Sequence, residues 1–214
     1  MIKCMILDFD GLIIDTETSE IESFEKLYDT YQVEFPVEKW MEGIGSALKF
    51  DPYEPLSVTG VKREKLRKQR AQLFESLIKD KSTRAGVKKY LIRAKELGMN
   101  IALASSSSKS WIDQHMEQLD IRQYFDFICT ADDVEHVKPE PDLYLKVLNH
   151  FNIRSDEAVV FEDSPNGALA AIRAGIRCVA VPNPTTESMK FDPGIVLRLT
   201  SKEEMSLDEV LSRL

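Results

Sequence analysis

The N-terminal stretch Lys3-Cys-Met-Ile-Leu-Asp8-Phe-Asp10-Gly11 passes from apolar to acidic within a few residues. Its apolar part does not alternate with polar residues, as a strand with one wet face would, so it reads as a strand covered on both sides. Asp8 and Asp10 then fall at the strand's tip, one residue apart on extended chain. Carboxylates in such a place need a cation or hydrogen bonds to offset their desolvation. Gly11 allows a sharp turn or a close backbone approach directly afterwards.

The same kind of run recurs at Asn100–Ala104, Phe127–Thr130, Ala158–Glu162 and Arg177–Val181, which with Lys3–Phe9 makes five expected strands. Helical patterns separate them. Val87, Tyr90, Leu91, Ala94 and Leu97 keep the spacing of one buried helix face, and Gly98 follows as a stop. Trp111, His115, Met116 and Leu119 repeat that spacing, as do Leu143, Val147, Leu148 and Phe151; Ser164 to Ala174 gives a further helix before Gly175. Strand and helix in alternation imply right-handed crossovers and an α/β, doubly wound parallel sheet. Ligands bind such sheets beyond the carboxyl ends of the strands, here Asp8–Asp10, Ser105, Ala131–Asp133 and Glu162–Asp163.

Residues 16–83 break the alternation. No buried strand is legible there, and the Leu66, Leu73, Phe74, Leu77, Ile78 pattern predicts an amphipathic helix with a single apolar face. The segment reads as an inserted α-helical cap over the first strand's carboxyl end, dividing the chain into a core of 1–15 and 84–214 and a cap of 16–83. The loop 43–60 contains Pro52 and Pro55. Lys62, Arg63, Lys65, Arg67, Lys68 and Arg70 read as a solvated helix face. Ser201…Glu204 and Ser206…Glu209 both fit a capping box and predict a short closing helix.

Composition narrows the partners. The 214 residues are 43% hydrophobic and 30% charged with a net charge of −8, values of an ordinary globular chain. Such a length buries roughly 70% of the extended-chain surface. The acidic balance argues against a nucleic-acid or anionic-membrane partner, and no apolar run approaches the ~20 residues that span a bilayer. No stretch reads as a cleaved signal peptide, and Cys4, Cys129 and Cys178 lie in apolar runs, as free thiols in a reducing compartment do. The expectation is a cytoplasmic protein, and with no heptad or exposed apolar run a monomer is the default.

Four groups can carry chemistry. Asp8 and Asp10 offer a carboxylate nucleophile and a second acid. Ser105–Ser108 offer hydroxyls and backbone N–H groups at a helix start, which suit an anion but serve equally as helix caps. Lys138-Pro139 offers a cation on a stiff loop. Glu162-Asp163 places paired acids at another strand end, where hard oxygen ligands suit Mg2+. All four converge on one crevice, and the set is the inventory for phosphoryl transfer.

In this order Asp8-Phe-Asp10-Gly11, Ser105 after an apolar strand, Lys138-Pro139 and Glu162-Asp163-Ser164 resemble the haloacid dehalogenase (HAD) superfamily, in its phosphatase and β-phosphoglucomutase-like branch. The resemblance covers about residues 1–15 and 84–200, and Asp15-Thr16-Glu17 is similar to the start of that branch's helical cap. It implies a HAD-type phosphoric monoester hydrolase acting on a small phosphorylated substrate. Asp8 would be the nucleophile that forms an aspartyl-phosphate and Asp10 the general acid and base. Ser105, Ser106 and Lys138 would bind the phosphoryl oxygens. Asp8, the Asp10 carbonyl, Glu162 and Asp163 would serve Mg2+.

Two departures bear on the reaction. Where the mutase pattern has a cap histidine this chain has Glu20, and its segment Glu42-Gly-Ile-Gly-Ser-Ala-Leu-Lys49 has no arginine. Hydrolysis of a sugar or sugar-alcohol phosphate is therefore expected ahead of a hexose-phosphate mutase. A receiver-type switch uses similar groups, but receivers are shorter, have no cap and do not open on the phosphorylated aspartate.

Overall fold

β1 (Cys4–Leu7) is the third strand of a six-stranded, wholly parallel sheet in the computed structural model, which describes residues 1–44 and 50–214. On one side stand β2 (Asn100–Ala104) and β3 (Phe127–Cys129), on the other β4 (Ala158–Glu162), β5 (Arg177–Ala180) and β6 (Leu197–Arg198). In register, Leu7 lies beside Leu103 on β2 and Phe161 on β4. The chain thus turns outward in both directions from β1, and the crevice opens at the β1–β4 switch point.

Burial on both faces follows from the unalternated sequence. Met5 and Leu7 pack into one apolar cluster with α4 (Val87–Glu96), α5 (Lys109–Gln118) and α8 (Leu207–Ser212). Cys4 and Ile6 point into the other, against α6 (Asp142–Phe151) and α7 (Pro165–Arg173). Cys4, Cys129 and Cys178 are buried and unbridged.

Between β1 and α4 the chain forms α1 (Thr16–Thr30), α2 (Val37–Met41), a 3-10 turn at Pro55–Thr59 and α3 (Arg63–Ile78). These elements build their own cluster around Phe24, Tyr28, Trp40, Leu56 and Leu66. α3 belongs to two cores, with Leu66 and Leu73 against that cluster and Phe74 and Ile78 against the main one. Its apolar face is divided between them, and only Leu66 and Ile78 are fully buried. Of the expected loop 43–60, residues 45–49 lie outside the described residues, Lys49 among them.

Three local expectations are corrected. β6 was not anticipated: only Leu197 and Arg198 pair, and an edge strand needs no two-sided apolar run. Ser206 and Glu209 form the capping box of α8, whereas Glu204 accepts from Thr200 N–H and Oγ1 instead of serving Ser201, so only one of the two boxes starts a helix. Arg70 is not part of a solvated face but turns inward onto Glu20. Among the described residues no helix is long and apolar enough to cross a membrane.

Candidate active site

Asp8 extends the ladder one residue past β1, its N–H donating to Phe161 O at 3.2 Å. The chain then turns at Gly11, φ 81°, whose N–H donates to Ile14 O at 2.8 Å. A Cβ at Gly11 would overlap Asp163 Oδ2 and come within 2.6 Å of Asn183 Nδ2, so the turn needs glycine for both conformation and clearance.

The four expected groups do meet at these strand ends. Lys138, 1% exposed, donates to Asp8 Oδ1, to Ala104 O at 2.8 Å and to Glu162 Oε1 at 2.7 Å. Glu162 is fully engaged: Oε1 also accepts from Tyr144 OH at 2.6 Å, and Oε2 accepts from Asp163 N–H at 3.1 Å and the Ser164 hydroxyl at 3.4 Å. Asp163 Oδ2 accepts from Asn183 Nδ2 at 2.7 Å. Ser105 Oγ accepts from Ser107 N–H at 3.1 Å, and Ser106 Oγ is buried with no hydrogen-bond partner among the described residues.

Charge is unbalanced in this cluster. Oxygens of Asp8, Glu162 and Asp163 lie within 4.8 Å of one another, all three residues buried, with Lys138 between Asp8 and Glu162. Burial pushes the Asp8 carboxyl up to about 8 although Lys138 pulls it down. Asp163 is pushed well above the usual carboxylate range by burial, then by Asp8 and Glu162. Burial opposes the charge on Lys138, but Asp8 and Glu162 outweigh it and raise the amine. Among the described residues, hydrogen bonds reach Asp8 at Oδ1 and Asp163 at Oδ2, which leaves Asp8 Oδ2 and Asp163 Oδ1 open there. Open hard oxygens in a site with surplus negative charge fit a divalent cation. Glu162, with both oxygens taken, stands behind them.

Asp10 faces the other way. Its Oδ1 accepts from Thr16 Oγ1 at 2.8 Å and Trp111 Nε1 at 3.0 Å, and its Oδ2 from Ser107 Oγ at 2.6 Å. Its side chain is outside the carboxylate cluster. Asp8 and Asp10 flank a cavity of about 320 Å³ walled on the far side by Glu17, Glu20, Arg70, Phe74 and Trp111. Sequence reasoning singled out Glu20 and the Asp15-Thr16-Glu17 stretch but missed Arg70, Phe74 and Trp111 as site residues. Trp111 carried a signal, being set just after the Ser105–Ser108 run; Arg70 carried none.

The comparisons agree with this geometry. The family profile of haloacid dehalogenase-like hydrolases matches residues 5–181. The chain is 42% identical over 217 residues to YhcW of Bacillus subtilis, provisionally described as a phosphatase, covering 100% of this chain and 98% of that one. It is 28% identical over 180 residues to the phosphorylated carbohydrates phosphatase of Thermotoga maritima, covering 81% and 82%. A Thermotoga maritima crystal structure, provisionally described as a β-phosphoglucomutase, superposes with a TM-score of 0.78 at 25% identity over the full length of both chains. With the profile spanning most of the chain and the sheet, crevice and strand-end residues arranged as described, this protein belongs to the haloacid dehalogenase-like hydrolase family.

Proposed function

We propose that the protein is a Mg2+-dependent phosphatase that hydrolyses a small sugar or sugar-alcohol phosphate through an aspartyl-phosphate on Asp8. The observation that carries this reading is the setting of Asp8: Lys138 holds its Oδ1, and Asp8 lines the same cavity as Asp10 and Ser105–Ser107. Supporting it, relatives of this chain include the phosphorylated carbohydrates phosphatase named above.

Asp8 Oδ2 attacks phosphorus and the bond to the leaving oxygen breaks, with Asp10 delivering a proton to that oxygen. Asp10 then takes a proton from water, whose oxygen attacks phosphorus and releases Asp8 as carboxylate. Thr16, Ser107 and Trp111 hold the Asp10 carboxylate in one orientation for both transfers. Ser105, the Ser106 N–H and hydroxyl and Lys138 bind the transferring phosphoryl oxygens, in a site dry enough for each contact to count. Asp8, the Asp10 carbonyl and Asp163 would hold the cation with Glu162 behind them; when bound it supplies the charge that screens carboxylates from phosphoryl oxygens. The helices of 16–83 act as the cap that excludes bulk water above the core of 1–15 and 84–214.

Phosphate release from a panel of sugar, sugar-alcohol and nucleotide monophosphates, with Mg2+ and with EDTA, tests the reading beside Asp8→Asn. Turnover that needs metal and vanishes in the variant is expected; turnover surviving in Asp8→Asn overturns it. A hexose-phosphate mutase is the second reading, favoured by the likeness to the Thermotoga protein. It requires interconversion of β-glucose 1-phosphate dependent on glucose 1,6-bisphosphate, with no free phosphate.

A further inference from the structure

The far wall of the cavity carries its own charge arrangement. Arg70, the cation of that wall among the described residues, donates to Glu20 Oε1. Its guanidinium lies 4.8 Å from the ring centroids of both Phe24 and Phe74, clamped between two aromatic faces. Only 18% of the side chain is exposed. Glu17 lines the same wall and has no hydrogen-bond partner among the described residues. Phe74 and Trp111 close the side, their ring centroids 5.7 Å apart.

We propose that Glu20 and Arg70 make this wall a selector for monophosphates, with Glu20 withholding the guanidinium from a second phosphate and Glu17 reading substrate hydroxyls. The inference rests on the phosphatase reading and sharpens its substrate class: a polyhydroxylated monophosphate whose end remote from phosphorus is uncharged.

Glu17 suits an uncharged, hydroxylated substrate end in either protonation state. Ionised, it repels a second phosphate and accepts from hydroxyls; protonated, it both donates to and accepts from hydroxyls. In neither state does it offer a cation. A bisphosphate needs a free cation at its remote end, because an unpaired buried anion is costly. While Glu20 neutralises it, Arg70 brings no surplus positive charge to a second phosphate, the described wall has no other cation, and the aromatic clamp keeps the guanidinium from swinging elsewhere. Phe74 and Trp111 beside it suit the apolar C–H face of a polyol or sugar.

The test compares kcat/KM for fructose 6-phosphate and fructose 1,6-bisphosphate, which differ by the second phosphate, with glucitol 6-phosphate and butyl phosphate as hydroxylated and bare monoesters. The wild type should favour fructose 6-phosphate at least tenfold. Glu20→Gln frees Arg70 and should narrow that ratio tenfold or more, through a lower KM for the bisphosphate. Arg70→Gln leaves Glu20 uncompensated and should widen it. Glu17→Ala should lower kcat/KM for glucitol 6-phosphate tenfold while moving butyl phosphate little. A wild type that prefers the bisphosphate overturns the inference alone, as does a ratio that shifts the same way in Glu20→Gln and Arg70→Gln. Absence of phosphate release from every substrate, p-nitrophenyl phosphate included, brings down the phosphatase reading and this inference with it.

Discussion

The two walls of the cavity are built on different principles. The floor, at the ends of β1, β2 and β4, is a closed network in which Lys138 joins Asp8, Glu162 and the Ala104 carbonyl, and all of these residues are buried. The far wall comes mainly from α1 and α3, with Trp111 of α5 beside Phe74; Glu20 is 40% exposed there and Glu17 has no side-chain hydrogen-bond partner among the described residues. A floor that must stabilise the same phosphoryl chemistry for any substrate can be rigid, since preorganised charge costs nothing to reorganise during reaction. A wall that reads the remainder of the substrate does so with few contacts and open acceptors.

If that contrast is right, changes on the floor should act on chemistry and stability together. The largest effect belongs to Asp8→Asn, which removes the nucleophile at almost constant shape. Phosphate release should fall by at least roughly a thousandfold, as loss of a covalent catalyst does, with a far-ultraviolet circular dichroism spectrum like the wild type. Lys138→Met comes next. It leaves Asp8 and Glu162 buried without their cation, and breaking a buried pair in this way costs about 3–5 kcal/mol. Urea unfolding in EDTA measures it; a loss below about 1 kcal/mol would mean that the floor is not a closed network.

Lys202 offers a test of the same charge balance from beneath. It is 3% exposed, and among the described residues its amine donates to Leu12 O alone, at 3.4 Å. Burial, and then the nearby Arg84, lower its pKa to about 7. The unfolded chain therefore binds more protons than the folded one between about pH 7 and the ordinary lysine value, and stability rises with pH across that window. At pH 7 and below the penalty is full. Lys202→Met removes it, so the variant should be more stable by about 1–4 kcal/mol at pH 6, and the two proteins should converge as pH approaches 10. Thermal melts over that range check the sign; a gap that widens with pH would contradict it.

The floor was legible in the sequence and the wall was not, for a physical reason. Asp8, Ser105 and Asp163 each stand at or one residue past the end of a short apolar run, and parallel strands bring such ends together whatever the details of packing, while Lys138 was legible from the stiff Lys138-Pro139 loop. Register finishes the job, since Leu7 beside Leu103 and Phe161 sets Asp8 next to Ala104 and Glu162, with Ser105 one residue further on. Arg70 sits 50 residues from Glu20 on a helix whose basic residues look alike in sequence. Which of them turns inward depends on how α3 divides its apolar face between two cores, and no local pattern encodes that. β6 was missed for a related reason, being held by two paired residues at an edge. Tyr144, which donates to Glu162, carried no signal of its own inside a helical stretch.

Trp111 tests where floor passes into wall. Its indole N–H donates to Asp10 Oδ1 at 3.0 Å while its ring packs on Phe74 of α3. Trp111→Phe keeps most of the packing and removes one of three donors to Asp10. A hydrogen bond to a charged group contributes about 1.5–3 kcal/mol, and Thr16 and Ser107 remain to hold the carboxylate, so the loss should sit at the low end. The expected outcome is a fall of about tenfold in kcat with KM nearly unchanged, because the indole N–H positions the proton-transferring group without holding the substrate. Steady-state kinetics on the best substrate of the panel decides it. A change confined to KM would move Trp111 from the floor's chemistry to the wall's recognition, and the boundary between the two would then run through α5 rather than above it.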